Sequence, residues 1–197
     1  MTAVEHYRLF VAISLPEQIK DTMAAAQSEL RQSLPERSVS WANPKQLHLT
    51  LKFLGRVEAA QVEALSGQLR AACQEFAPLT LRARCVDTFP DARFPRVIWA
   101  GVTDGGSQLL KMQLAVETAS RNFIAPEPEQ KFTGHVTLGR VRRINRRDSK
   151  VLLRLLSGMA DRVFGEWTAS EIELMRSELA SDGARHTSIG TVPLSRV

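Results

Sequence analysis

The chain repeats one pattern of residues at a spacing of 87 to 88 positions. Each match joins a short stretch of the first half to one of the second: 8–12 with 96–100, 48–51 with 135–138, and 79–80 with 167–168. A two-copy repeat of this length indicates a duplicated lobe rather than a solenoid. We therefore predict two lobes related by a pseudo-twofold axis; the alternative is chance similarity between short segments.

Hydrophobic periodicity predicts the same order of elements in both halves. The first half is predicted to hold strand 7–13, a helix to about 33 opened by a capping box at 14–17, strand 47–54 closed by Gly55, helix 58–76 and strand 79–89. The second half is predicted to hold strand 97–102, helix 107–123, strand 135–141, helix 148–157, strand 167–176 and a last strand near 185–193. The predicted fold class is α+β, with bilobal, duplicated β-α-β-α-β lobes around a central groove. Lobe one covers about 1–92 and lobe two about 93–197, and without a Gly/Ser linker they form a single domain over 1–197.

Composition excludes several classes of protein. With 197 residues of which 44% are apolar, the chain can bury a core without covalent staples. The two cysteines, Cys73 and Cys85, form no C-x-x-C pair, so neither a disulfide framework nor a zinc module is indicated. The sequence shows no signal peptide and no apolar run of membrane-spanning length. These features predict a cytoplasmic protein that is not in the membrane, and we expect a monomer.

The basic residues have an unusual make-up and position. They number 26 against 21 acidic residues, a net charge of +5, and 20 of them are arginine. Five arginines fall within eight residues: Arg140, Arg142, Arg143, Arg146 and Arg147. Arginine suits phosphate oxygens, so the run is compatible with nucleotide or nucleic-acid binding. A solvated face, or the base composition of a genome, explains it equally well.

The strongest chemical signal is the motif His-x-Thr. With 4 His and 12 Thr in the chain, composition alone predicts about a quarter of one occurrence, yet two are present at equivalent places in the repeat. Because side chains alternate along a strand, His48 and Thr50 share one face, as do His135 and Thr137. The pseudo-twofold axis would bring the two histidines together across one groove.

Two facing imidazoles suit a reaction that needs one acid and one base near neutral pH. One would deprotonate water for in-line attack on phosphorus while the other protonates the leaving ribose oxygen. The threonine hydroxyls can donate hydrogen bonds to the non-bridging oxygens. The pattern predicts a phosphodiesterase that needs neither a metal nor another cofactor. The competing hypothesis is a non-catalytic RNA-binding module that uses the same basic groove.

These motifs resemble those of a known family. Residues 48–51 and 135–138 are similar to the paired H-x-T-x motifs of the two-histidine (2H) phosphoesterases, and more narrowly of the bacterial RNA 2′,3′-cyclic phosphodiesterase (2′–5′ RNA ligase) family. The likeness extends to Trp41 and to the segments 8–13, 95–101, 182–187 and 192–194.

The resemblance implies a bilobal α+β fold. It also implies hydrolysis of a 2′,3′-cyclic phosphate on RNA ends or nucleotides to a 2′-phosphomonoester, together with reversible 2′–5′ RNA ligation. It further implies that His48 is the proton donor and His135 the proton acceptor, and that Thr50, Thr137 and Arg140 contact phosphate.

Two positions depart from the simplest expectation. Gly134 stands where family members often carry proline before the second histidine, which predicts a looser approach to His135. Strict alternation would place Arg140 on the face of Val136 and Leu138, so its contact with phosphate requires the strand to bulge or end near Gly139. His186, which has no threonine two residues on, is interpreted as an ordinary strand residue, and the three tryptophans, Trp41, Trp99 and Trp167, as core.

Overall fold

A computed structural model describes residues 4–91, 94–125, 131–180 and 183–194. Within these ranges the strands are β1 (His6–Ser14), β2 (Val39–Trp41), β3 (His48–Glu58), β4 (Leu79–Phe89), β5 (Val97–Thr103), β6 (His135–Val141), β7 (Val163–Ala169), β8 (Glu171–Ala180) and β9 (Gly183–Pro193). The α-helices are α1 (Glu17–Ser33), α2 (Val62–Cys73), α3 (Gln108–Ser120) and α4 (Arg146–Gly158), and short 3-10 turns lie at Pro44–Gln46, Ala59–Gln61 and Arg121–Phe123. The α+β fold class is thereby confirmed.

All nine strands belong to one sheet in the order β7-β4-β5-β6-β3-β1-β8-β9, with the short β2 beside β6. Every described pairing is antiparallel. Apart from β2, the sheet has two halves of four strands each, which meet where Leu49 of β3 pairs with Val136 of β6. This seam runs through the two His-x-Thr motifs.

Each half of the sheet contains strands from both halves of the sequence. β4 belongs to the first half of the sequence but lies between β5 and β7, whereas β8 and β9 belong to the second half but continue from β1. The boundary near 92 and 93, which itself lies outside the described residues, therefore does not separate the two sides of the sheet. The match of 79–80 with 167–168 does not relate equivalent strands either, because Thr80 pairs directly with Thr168.

The helices also cross between the halves. α1 packs against α4 and against β6 and β7, while α3 packs against α2 and β3, and α2 also contacts β9. The strands turn apolar side chains towards this layer, and Leu49, Val136 and Leu138 are fully buried in the core. On the opposite face of the seam, the side chains at 48, 50, 135 and 137 stay half-buried. No helix of the described ranges is both long and apolar enough to cross a bilayer.

Several predicted boundaries need correction. The capping box is wrong, because Ser14 ends β1 and its hydroxyl donates to Glu173, while α1 begins after Pro16 without a side-chain cap. Gly55 does not close β3; it adopts a positive φ of 67° within the strand, where the register with β1 shifts. The single strand predicted at 167–176 is two strands, because the chain leaves β4 after Ala169 and joins β1 through β8. β2 was not predicted.

Candidate active site

The seam between β3 and β6 brings the two motifs together. Leu49 and Val136 pair on the helix-covered face, so the residues on either side of each, at 48, 50, 135 and 137, share the open face. In an antiparallel pair His48 then lies towards Thr137, and Thr50 towards His135. All four side chains are half-buried. The structure therefore gathers both histidines and both threonines predicted from the sequence.

The two imidazoles are held by the same local bond. His48 Nδ1 donates to the carbonyl oxygen of Gln46 at 2.8 Å, and His135 Nδ1 donates to that of Thr133 at 2.7 Å. In each case the acceptor lies two residues before the histidine. With Nδ1 committed to a carbonyl, which can only accept, Nε2 of each ring is the nitrogen left for proton transfer.

His48 is enclosed by rings and by charged groups of other strands. Phe10 of β1, only 2% exposed, lies with its ring centroid 4.8 Å from that of His48. His186 of β9 meets His48 edge to face at 5.3 Å. Burial lowers the pKa of His48, the bond to Gln46 opposes this, and His186 and His135 lower it further while Glu173 raises it. The imidazolium of His48 is therefore a stronger acid than an exposed one.

The contact with His186 requires the sheet to curl. β9 is separated from β3 by β1 and β8, which would place it about 15 Å away in a flat sheet at roughly 4.8 Å per strand. Gln46 bridges the two strands when its amide is oriented so that both side-chain atoms are paired: the nitrogen then donates to Ala184 O at 2.9 Å and the oxygen accepts from His186 N at 3.3 Å. Gln46 thus holds His48 through its carbonyl and β9 through its side chain.

His135 has different neighbours. Phe89 of β4 meets its ring edge to face at 5.0 Å, and Trp99 of β5 lies 6.1 Å away and stacks on Phe89 at 4.7 Å. Burial lowers the pKa of His135, the bond to Thr133 opposes this, and the positive charge of Arg140 lowers it further. His135 is accordingly held towards its neutral form, which is the form able to accept a proton.

A bulge directs Arg140 to the open face. β6 pairs Gly139 with Ile98 and Thr137 with Trp99, so Leu138 is the extra residue and the alternation changes there. Leu138 and Gly139 are both buried and Arg140 is exposed. The requirement for a bulge near Gly139 is therefore confirmed.

Gly134 is tightly packed rather than loose. A Cβ at this position would lie 2.5 Å from the carbonyl oxygen of Val102. The Gly134 carbonyl also accepts from Val102 N at 2.9 Å, which fixes the chain entering β6. The expectation of a looser approach to His135 is wrong.

An open groove of about 910 Å³ runs over this face. Its lining includes His48, Thr50, Thr137 and Arg140 from the predicted site; His135 is not among the lining residues and lies beside the groove. The groove continues past these residues to Arg8, Arg31, Trp41, Arg185 and His186. Its volume suits a nucleotide-sized ligand.

Sequence reasoning missed part of this environment. His186 was interpreted as an ordinary strand residue, and Phe10 and Gln46 were not singled out. Trp167 is core, as predicted, but Trp41 lines the groove and Trp99 lies beside His135. The sequence did contain a signal for Phe10, because it alternates with the core residues of β1 and so belongs to the opposite face of that strand. The contact between His186 and His48 depends on the curl of the sheet, which the sequence pattern does not report.

Within the part of the chain that the structure describes, no group of three or more His, Cys, Asp and Glu side chains is arranged to hold a metal ion.

Comparison with known proteins relates the chain to phosphoesterases. The family model described as LigT like Phosphoesterase matches residues 13–99. The RNA 2′,3′-cyclic phosphodiesterase of Methanothermobacter thermautotrophicus is 30% identical over 181 residues, which are 91% of this chain and 95% of the relative. The protein of the same name from Aquifex aeolicus is 33% identical over 150 residues, 75% of this chain and 77% of the relative. The crystal structure of TT0787 of Thermus thermophilus is similar with a TM-score of 0.78 and 26% identity, over 96% of this chain and 98% of that one.

Proposed function

The chain belongs to the LigT-like phosphoesterase family, and on that basis we propose that it hydrolyses 2′,3′-cyclic phosphates at RNA ends, or on nucleotides, to 2′-phosphomonoesters. One observation carries the proposal. Two His-x-Thr motifs meet on one open face, each with its imidazole held through Nδ1 by the carbonyl two residues earlier. Paired acid and base groups with fixed Nε2 atoms suit in-line displacement at phosphorus.

The reaction assigns one proton transfer to each imidazole. Neutral His135 accepts a proton at Nε2 from the attacking water as the new P–O bond forms. Protonated His48 donates its Nε2 proton to the ribose 3′ oxygen as the P–O3′ bond breaks, which leaves the phosphate on the 2′ oxygen. The reaction ends with His135 protonated and His48 neutral, and proton exchange with water restores the starting state.

The remaining groups act on the phosphate charge. Thr50, Thr137 and Arg140 line the groove. In this proposal the two threonine hydroxyls donate hydrogen bonds to the non-bridging oxygens, and Arg140 supplies positive charge. Such donors stabilise the transition state when negative charge grows on those oxygens.

The test is hydrolysis of a cyclic-phosphate substrate by purified protein containing His48→Ala or His135→Ala. Loss of a positioned acid or base costs about 10²- to 10⁴-fold, so we expect kcat to fall by that range in both variants. His6→Ala, an exposed histidine outside the groove, is the matched control. Wild-type rates in either His48→Ala or His135→Ala would sink the assignment.

The alternative of a non-catalytic RNA-binding module is not favoured, since the curated relatives are named as enzymes. The same acid–base pair would also support 2′–5′ ligation, in which the 5′-hydroxyl of a second RNA attacks phosphorus in place of water. His135 would accept the proton of that hydroxyl and His48 would protonate the departing 3′ oxygen. Incubation of cyclic-phosphate and 5′-hydroxyl RNA ends tests it, and absence of any joined product would count against it. The monomeric state and the cytoplasmic location stay predictions, which gel filtration with light scattering and cell fractionation would check.

A further inference from the structure

The basic charge of the protein is concentrated in one segment. Residues 139–158 hold seven of the 26 basic residues and one of the 21 acidic ones, a net charge of +6, so the rest of the chain carries about −1. This segment runs from the end of β6 through α4. Five of its cations form what we call the α4 basic face: Arg143, Arg146, Arg147, Lys150 and Arg154. All five are exposed.

The α4 basic face lacks internal partners. Some arginines on other surfaces pair with glutamates, as Arg70 does with Glu63 and Arg82 with Glu166. Among the described residues, no member of the face forms an ion pair or a side-chain hydrogen bond. The face therefore offers its full charge to an external anion.

The position of these cations opposes helix stability. Arg146 and Arg147 are the first two residues of α4, whose N-cap is Asn145. The N-terminus of a helix carries partial positive charge, so cations there are unfavourable and anions favourable. α4 is anchored by the burial of Leu152 and Leu156 on its other side. Folding gives no reason for cations in the first turn, whereas binding of an external polyanion does.

The face is continuous with the groove. Arg140 lines the groove, and two residues later Arg142 donates to Ser40 Oγ at 3.2 Å, on a serine that also lines it. The backbone N–H of Arg143 donates to Ser38 O at 3.3 Å, next to this rim. α4 starts three residues further on and, at 1.5 Å per residue, extends for about 20 Å. An extended polyanion entering the groove can therefore continue along α4.

We propose that the α4 basic face binds the phosphate backbone of the RNA strand that leads to the cyclic-phosphate end. This inference rests on the proposed function and specifies its substrate: a strand several nucleotides long binds better than a mononucleotide. Within the helix, Arg146 and Arg147 are followed at spacings of three or four residues by Lys150 and Arg154, which places successive cations about 5–6 Å apart along one side of α4. Contact of this kind is electrostatic and independent of base sequence.

The experiment compares two substrates and two variants. The substrates are a 2′,3′-cyclic mononucleotide and a ten-nucleotide RNA with a 2′,3′-cyclic end. The face variant is Arg146→Gln/Arg147→Gln/Lys150→Gln, and the control variant Arg70→Gln/Arg82→Gln/Lys111→Gln removes the same charge from other surfaces. We expect the face variant to raise KM for the RNA about tenfold at low salt and leave the mononucleotide rate within about twofold. The control variant should behave as wild type.

A salt titration gives a second measurement. Fluorescence anisotropy of a labelled RNA with a 2′-phosphate end would follow binding without turnover. At about 0.7 per neutralised phosphate of a single strand, removal of three contacts should reduce the slope of log K against log salt by about 2. The melting temperature of the face variant should stay equal to that of wild type or rise, because the removed cations oppose the helix dipole.

The outcomes are distinguishable. Equal loss on both substrates, an unchanged salt slope, or no preference of the wild type for RNA over the mononucleotide would overturn the proposal. So would tighter binding to vesicles of anionic lipid than to RNA. If the wild type turns over neither substrate, the proposed function has failed, and the anisotropy slope still decides whether the face binds RNA.

Discussion

At the scale of single residues, the two histidines share an anchor and differ in their neighbours. Each donates Nδ1–H to the carbonyl two residues earlier. His48 then meets Phe10 and another imidazole, whereas His135 meets two aromatic rings and lies near Arg140. The shared anchor fixes which nitrogen reacts, and the unequal neighbours make the chemically similar rings suitable for different roles.

Most of this arrangement of single residues was predictable from the sequence. The spacing His-x-Thr, duplicated at +87, identified four side chains that the fold brings to one face. His186 was not predictable in the same way, because it shares no motif and its contact with His48 spans the two strands, β1 and β8, that separate them in a curled sheet. Sequence spacing reports neighbours along an element but not those created by curvature.

The pKa directions predict the pH dependence. His135 must be neutral to accept a proton and His48 protonated to donate one. Burial lowers the pKa of both, so both limbs of a bell-shaped kcat/KM profile should lie below the ordinary value of about 6.5. The bound cyclic phosphate is an anion that favours imidazolium, so the limbs of kcat should lie at higher pH than those of kcat/KM. Initial rates between pH 4.5 and 9 measure this.

Two results would contradict that prediction. One is a kcat/KM optimum above about pH 7.5, since the donor would then be deprotonated in the free enzyme. The other is a flat profile between pH 5 and 8.

At the scale of elements, irregularities in the strands decide what faces the groove. The bulge at Leu138 turns Arg140 outward, and the register of β1 with β3 shifts between Val11 and Ala12. In the first half Ala12 of β1 pairs with Thr50, and in the second half Trp99 of β5 pairs with Thr137. The structurally equivalent residues of β1 and β5 are therefore 87 positions apart, whereas their sequence match has an offset of 88. A difference of one residue exchanges the two faces of a strand. Periodicity located the strands but could not locate their bulges.

β9 supplies an element-scale prediction. Its His186 ring packs edge to face on His48, and Gln46 holds that end of the strand in place. His186→Ala removes a ring that packs against His48. We expect kcat to fall about tenfold and KM to stay within about twofold of the wild-type value, because a proton donor held less firmly weakens only the transition state. His186→Phe keeps a ring of similar shape and should recover most of the rate. Steady-state kinetics on a cyclic mononucleotide measures both.

His6→Ala again serves as the control, and melting temperatures confirm that each variant is folded. A phenylalanine variant as slow as the alanine variant would show that packing is not what His186 contributes. A rise in KM at unchanged kcat would place His186 in substrate binding instead.

At the scale of the whole molecule, the exchange of strands ties the two sequence halves together. β4 has both of its partners, β5 and β7, in the second half of the chain, and β1 obtains β8 from there as well. The repeat predicted the duplication and the place of the groove. It could not predict the exchange, because β4 and β7 resemble each other in sequence yet are neighbours rather than counterparts.

The exchange predicts how fragments behave. Residues 1–92 or 93–197 alone leave core faces of strands uncovered and unpaired, so neither should fold cooperatively. Mixed in equal amounts they should recover the circular dichroism and the cyclic-phosphate activity of the intact chain. Thermal melts of each fragment and of the mixture measure this, with the intact chain as the reference. A cooperative melt of 1–92 alone would refute the prediction.

The rotation that relates the two His-x-Thr motifs has a consequence for regioselectivity. A 2′,3′-cyclic phosphate presents two ester oxygens to two imidazoles, and a site of perfect symmetry would cleave either bond with equal ease. The choice between 2′- and 3′-phosphate products therefore depends on how the residues beside each imidazole orient the ribose. These residues differ, with Phe10 and His186 beside His48 and Trp99 beside His135. Exchanging these neighbouring residues, with His48 and His135 unchanged, is the substitution that would alter the product ratio.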